Sequence, residues 1–152
     1  MHGIERAEEV VRFWREAGPP RWFAKDEEFD AAIRTRFLED YEAAARGDLG
    51  DWEVTPTGAL ALVLILDQFP RNLFRGERRA FATDQAAVLL AERAIERGFD
   101  AAVDPDLRRF FYLPFMHAED LAAQERGVAL HDAHVPDPDG LKFARHHRDI
   151  IA

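Results

Sequence analysis

The sequence predicts an all-α fold, an antiparallel array of helices around one buried central helix at about residues 56–69. Three observations predict it. Apolar residues recur at helical spacing along the chain, and no period-two strand pattern competes with them. The pairs Thr55-Pro56, Asp104-Pro105 and Asp137-Pro138 repeat a helix-start signature, a capping side chain followed by a proline whose missing N–H does no harm. The run from Ala59 to Leu66 is apolar on every side, as a helix enclosed by others must be.

The first helix is expected over Ile4–Ala17, on a stripe of Ile4, Ala7, Val11 and Trp14 widened by Val10 and Phe13. Gly18-Pro19-Pro20 stops it, because proline cannot continue the hydrogen-bond ladder. Trp22 and Phe23 follow as an apolar anchor. The second helix starts at Asp26, whose carboxylate caps free amides, and ends at Gly47, which supplies a left-handed terminus. Trp52 in the next linker is expected to pack onto the core. The central helix then runs from Pro56 to about Phe69, where Pro70 ends or kinks it and residues 71–76 form a short turn. Thr83 is expected to cap a helix reaching Arg97 before Gly98. Asp104-Pro105 opens a helix carrying Leu107, Phe110 and Phe111. Pro114 splits it from another at about residues 115–133. Asp137-Pro138 opens a last helix through Leu141, Ala144 and Ile150.

The chain has 152 residues, 47% of them hydrophobic and 32% charged, which suits one globular domain over residues 1–152. Net charge is −9, so a nucleic-acid partner is not expected, since phosphate binding needs a positive field. The longest apolar run falls far short of the ~20 residues of a membrane helix. With no cysteine and no signal-peptide pattern, a cytoplasmic setting is expected. Cysteine and serine are both absent, and the four threonines (Thr35, Thr55, Thr57 and Thr83) read as caps or surface residues. Nucleophilic catalysis and a glycine-rich phosphate loop therefore have nothing to build on.

Two stretches, LALVLILDQFPRNLFRGERRAFATD at residues 60–84 and FFYLPFMHAEDLAAQE at 110–125, resemble the bacterial family called domain of unknown function 924. The resemblance runs from Phe13-Trp14 to Ile151 and implies a TPR-like helical fold without an established activity. It also implies a further Gly-Arg-Phe-Pro-His-Arg-Asn-like segment after the last helix, which this sequence does not contain.

Two constellations could carry chemistry. Asp67, Gln68, Arg71, Asn72 and Arg75 lie at the charged exit of the buried helix, where burial requires charges to be paired. Asp67, Arg71 and Arg75 are spaced by four and share a face if the chain stays helical past Pro70. They form either a polar network that locks the bend or a cleft whose arginines hold an anion, with Arg78 and Arg79 close by. The second set is His117, Glu119, Asp120, Gln124 and Glu125; on one helix, His117, Asp120, Gln124 and His131 fall along one stripe. His117 beside Asp120 or Glu119 could act as an oriented general base, because a carboxylate fixes the imidazole tautomer; the alternative is a solvated polar face. No second Glu-x-x-His copy accompanies the histidines His117, His131, His134, His146 and His147, so neither a metal nor another cofactor is expected.

Two functions follow. One is a binding module for a peptide or protein, with Trp14, Trp22, Phe74, Phe81 and Phe115 lining a groove. The other is an enzyme or sensor for a small anionic ligand, held by Arg71 and Arg75 near His117. The second requires the two motifs, about fifty residues apart, to meet in space.

Overall fold

Local cap chemistry sets where the longer helices begin. In the computed structural model, which describes residues 3–135, α1 (Ile4–Ala17) buries Ala7, Val10, Val11 and Trp14. Proline at the first position then starts a four-residue helix, α2 (Pro19–Trp22), where only a stop was expected. Asp26 accepts from the Phe29 N–H at 3.1 Å and opens α3 (Glu27–Ala45). Gly47, at φ 84°, turns the chain out of it. Arg6 on α1 grips the buried Asp40 on α3, with Nη2 2.6 Å from Oδ2.

After a 3-10 turn (Gly50–Val54) that seats Trp52 in the core, Thr55 caps α4 (Pro56–Val63) through the Gly58 N–H at 3.0 Å. This is the central helix, and it packs against α1, the 3-10 turn and α6 (Asp84–Glu96). Around it Trp14, Trp22, Phe29, Phe69 and Phe110 form an aromatic cluster, with the Trp14 centroid 5.5–6.0 Å from the other four. Trp22 Nε1 donates to the Trp14 carbonyl at 2.7 Å, which locks α2 beneath α1.

Pro70 does not end the central helix. The helical path widens into a π turn (Leu64–Gln68) and continues as α5 (Phe69–Leu73), with the Phe69 N–H reaching back five residues to the Leu64 carbonyl. Pro70 offers no N–H to the Leu66 carbonyl. The Thr83 hydroxyl supplies the missing donor at 2.7 Å, so it does not cap α6 as the sequence suggested. Arg71 Nη1 similarly donates to the Asp67 carbonyl at 2.6 Å. Pi turns of this kind widen a helix where side chains must be re-aimed, and this one carries Asp67 and Gln68.

A 3-10 turn (Arg78–Phe81) leads into α6, and Gly98 at φ 77° separates α6 from α7 (Phe99–Ala102). The helix expected from Asp104 is only a 3-10 turn (Arg108–Phe111): the Asp104 carboxylate bonds the Asp106 N–H in a local turn that competes with a helix start. Leu107, Phe110 and Phe111 are nonetheless buried. The expected 115–133 helix is also two pieces, α8 (Leu113–His117) and α9 (Leu121–His134). Asp120 becomes the N-cap of α9, accepting from the Ala123 N–H at 3.3 Å. The last predicted helix, with Leu141, Ala144, His146, His147 and Ile150, lies outside the described residues. Among the described residues there is no strand, and no helix is long and apolar enough to cross a membrane.

Candidate functional site

The π turn and the end of α8 converge. His117 Nδ1 lies 2.9 Å from Asp67 Oδ1, although fifty residues separate them. Asp67 is fully buried and also accepts from Gln68 Nε2 at 3.0 Å on its other oxygen. Burial would raise its carboxyl, but His117, Arg71 and the Gln68 amide outweigh burial and hold it below the ordinary carboxylate value. An ionised Asp67 makes Nδ1 the protonated nitrogen of a neutral His117 and leaves Nε2 as an acceptor. Nε2 has no partner among the described residues.

Asp67 and Arg71 are neighbours at 3.6 Å, but the principal partner of Arg71 is Asp84 on α6. Arg71 Nη1 and Nη2 meet the two Asp84 oxygens at 2.9 and 3.0 Å in a bidentate pair. Burial raises the Asp84 carboxyl above its ordinary value even though Arg71 pulls it down. Arg75 does not continue the Asp67–Arg71 row; it grips Asp30 of α3 with Nε and Nη2, both at 3.0 Å, and Asn72 Nδ2 donates to the same carboxylate at 2.8 Å. The helix bends away after Leu73, so spacing by four no longer keeps the three residues on one face.

Beside these groups lies a cavity of about 1440 Å³, partly open to solvent. Gln68, Arg71, Asn72, Arg75, His117, Glu119, Asp120 and Gln124, all anticipated from sequence, reach its wall. Asp67 lies immediately behind them. The predicted stripe is not a single helix face, because the break at 118–120 puts His117 on α8 and Gln124 and His131 on α9. The carboxylate that orients His117 is Asp67, where Asp120 or Glu119 was expected; Asp120 is occupied as a helix cap. Glu119 is exposed on the rim, and Glu125 is exposed and does not line the cavity. Trp22, Phe23 and Phe81 add aromatic walls, and Phe81 lies 5.4 Å from the Arg71 guanidinium. Trp14, Phe74 and Phe115, expected in a groove, are buried and do not line the cavity.

Asp84 and Asp30 were not foreseen. Both sit in the first turn of a helix, where an acid is explained by the helix dipole alone. The one available signal was the surplus of arginines at 71 and 75, which must have partners somewhere. Among the described residues, no three His, Asp or Glu side chains gather as a metal site.

The chain resembles one solved structure along nearly its whole length, the protein of unknown function ATU0120 from Agrobacterium tumefaciens. The two share 48% identity and a TM-score of 0.94, covering 97% of this chain and 83% of that one. No curated protein matches it. The model of the bacterial proteins of unknown function called DUF924 matches residues 10–152. Gln68, Arg71, Asn72 and Arg75 of the DQFPRNLFRG string thus sit at the wall of the cavity, and the chain belongs to the DUF924 family.

Proposed function

We propose that this protein binds a small molecule in the cavity beside α5, α6, α8 and α9 and performs acid–base chemistry on it at His117. The observation that carries this reading is the 2.9 Å contact between His117 Nδ1 and a fully buried Asp67 at the cavity wall. A carboxylate behind an imidazole fixes the ring and its tautomer, so Nε2 faces the site as a base that becomes an acid once protonated. Asp67 stabilises the imidazolium that forms, and Arg71, tied to Asp84, holds Asp67 in turn. A structural ion-pair network would need no cavity at its edge; here the network and the cavity coincide. The peptide-partner reading draws on Phe23 and Phe81, 60% and 59% exposed at the mouth. The buried polar side chains that line the cavity behind them, Gln68, Asn72 and Gln124, favour a small polar ligand.

Thermal shift against pooled polar metabolites tests this. A ligand at a hundred times its Kd adds about 2.7 kcal/mol, which for a domain of this size is a rise of roughly 5–10 °C in Tm. We expect at least one such ligand, and we expect the shift to vanish in Ala123→Phe, which fills the cavity from α9. No shift in any pool, or an equal shift in the filled variant, would count against the proposal.

A further inference from the structure

We infer that the ligand of this cavity presents a primary ammonium group. The inference rests on the small-molecule reading above and specifies its chemistry from the hydrogen-bond capacity left over in the wall. Three carboxamides line the cavity, each more than nine-tenths buried: Gln68, Asn72 and Gln124. Each turns its NH2 group into the protein. Gln68 Nε2 donates to Asp67 at 3.0 Å, and Asn72 Nδ2 to Asp30 at 2.8 Å. Gln124 Nε2 donates to the carbonyls of Met116 and Ala118, the latter at 2.7 Å. These partners are carboxylates and backbone carbonyls, which only accept, so none of the three amides can be reversed.

Their carbonyl oxygens are therefore what remains. None of the three has a partner among the described residues, and Gln124 Oε1 is wholly buried without one. Buried carbonyls without donors are uncommon and need an explanation. Gln68 and Asn72 are the two placed to reach a ligand, since Gln124 Oε1 is buried. His117 Nε2 is a further acceptor on the same wall, in the tautomer Asp67 sets. The two arginines nearest these carbonyls are engaged: Arg71 and Arg75 each hold a carboxylate in a bidentate pair, while Arg109 and Gln85 line other parts of the cavity.

The part of the wall formed by Gln68, Asn72 and His117 thus supplies acceptors and calls for donors from a ligand. An anion would meet those acceptors as repulsion, whereas an ammonium group brings three N–H donors and a charge. Charge points the same way. Glu119 and Asp120 add negative charge at the rim with no guanidinium paired to either among the described residues. The exposed ring of Phe23 at the mouth offers a face that attracts a cation, as the Phe81 ring already does for Arg71.

Matched probes test the inference. Calorimetric titration of the whole protein at pH 7 would compare 2-phenylethylammonium with 3-phenylpropanoate, similar in skeleton and opposite in charge. We expect the ammonium to bind at least tenfold tighter. We further expect Asn72→Leu and Gln68→Met, each verified as folded by circular dichroism, to weaken it about tenfold while leaving the carboxylate unchanged. Equal binding of the two probes, tighter binding of the carboxylate, or binding of neither overturns the ammonium assignment. Tight ammonium binding that persists in Ala123→Phe lies elsewhere on the protein and overturns the assignment too. A carboxylate bound inside the cavity, lost in Ala123→Phe, would sink this inference alone and leave the small-molecule reading standing.

Discussion

Asp67→Ala is expected to destabilise the protein by about 3 kcal/mol or more, the largest loss of any polar substitution around the site. Asp67 is fully buried and accepts charge-assisted hydrogen bonds from His117 and Gln68. Such bonds contribute roughly 1.5–3 kcal/mol each, and the buried Gln68 amide would be left without its acceptor, whereas His117 can turn its proton toward the cavity. Arg71 keeps Asp84, so the loss stays below the sum of the bonds and of a fully stranded charge. The pH dependence has a definite sign. The folded-state carboxyl of Asp67 is depressed, so its stabilisation is fully present above the unfolded value, about pH 4, and is lost as pH falls through the lower folded value. Urea unfolding should therefore show a wild-type advantage that holds from neutral pH to about pH 4 and shrinks below it. A difference under about 1 kcal/mol at pH 7, well short of even one such bond, would mean that Asp67 is not paired as described.

Gly58→Ala is the second large effect, and it runs against ordinary helix preference. In an unconstrained helix interior the change gains about 1 kcal/mol. Here a Cβ on Gly58 would lie 2.0 Å from the carbonyl oxygen of Trp52 and 2.8 Å from its carbonyl carbon. Both are backbone atoms, so no side chain can swing aside. The 3-10 turn must move off α4, loosening Trp52 and the Thr55 cap together. Overpacking of this kind costs typically 1–3 kcal/mol and occasionally more; we expect the upper end. Gly127→Ala is the internal comparison, since its nearest contacts are two side-chain atoms at 3.2 Å. Chemical denaturation should show Gly58→Ala to be the worse of the two by at least about 1 kcal/mol; equal stabilities would contradict the close approach.

What was legible in the sequence was what depends on neighbours along the chain. Asp26, Thr55-Pro56 and the glycines 47 and 98 set helix ends through bonds within a few residues, and those ends stand where periodicity put them. The π turn was not legible, because it depends on Thr83, seventeen residues away, supplying the donor that Pro70 withholds. The break before α9 was missed for a related reason. Ala118 and Glu119 are not helix breakers, and Asp120 acts as a cap only because the chain has already turned. Gly58 gave no sign of its role, since the carbonyl it admits belongs to another element.

The residues of the site were legible as a set but not in their pairings. Burial of Asp67 required a partner, and Arg71, four residues on, was the nearest in sequence. The closer partner is His117, brought there by α8 packing beside α6. Sequence spacing governs contacts on one helix; contacts between helices depend on packing. That is also why Asp30 and Asp84, ordinary helix-start acids by position, turned out to balance the arginines.

If Asp67 presents His117 Nε2 to the cavity as a base, the imidazole tautomer must show it. Long-range 1H–15N correlation spectra of the uniformly labelled protein, with His117 assigned by its loss in His117→Gln, read the protonated nitrogen of the neutral ring. The Nδ1–H form is expected in the wild-type protein, with a shift toward Nε2–H in Asp67→Ala. An Nε2–H tautomer in the wild type, or a tautomer that ignores the loss of Asp67, would contradict it.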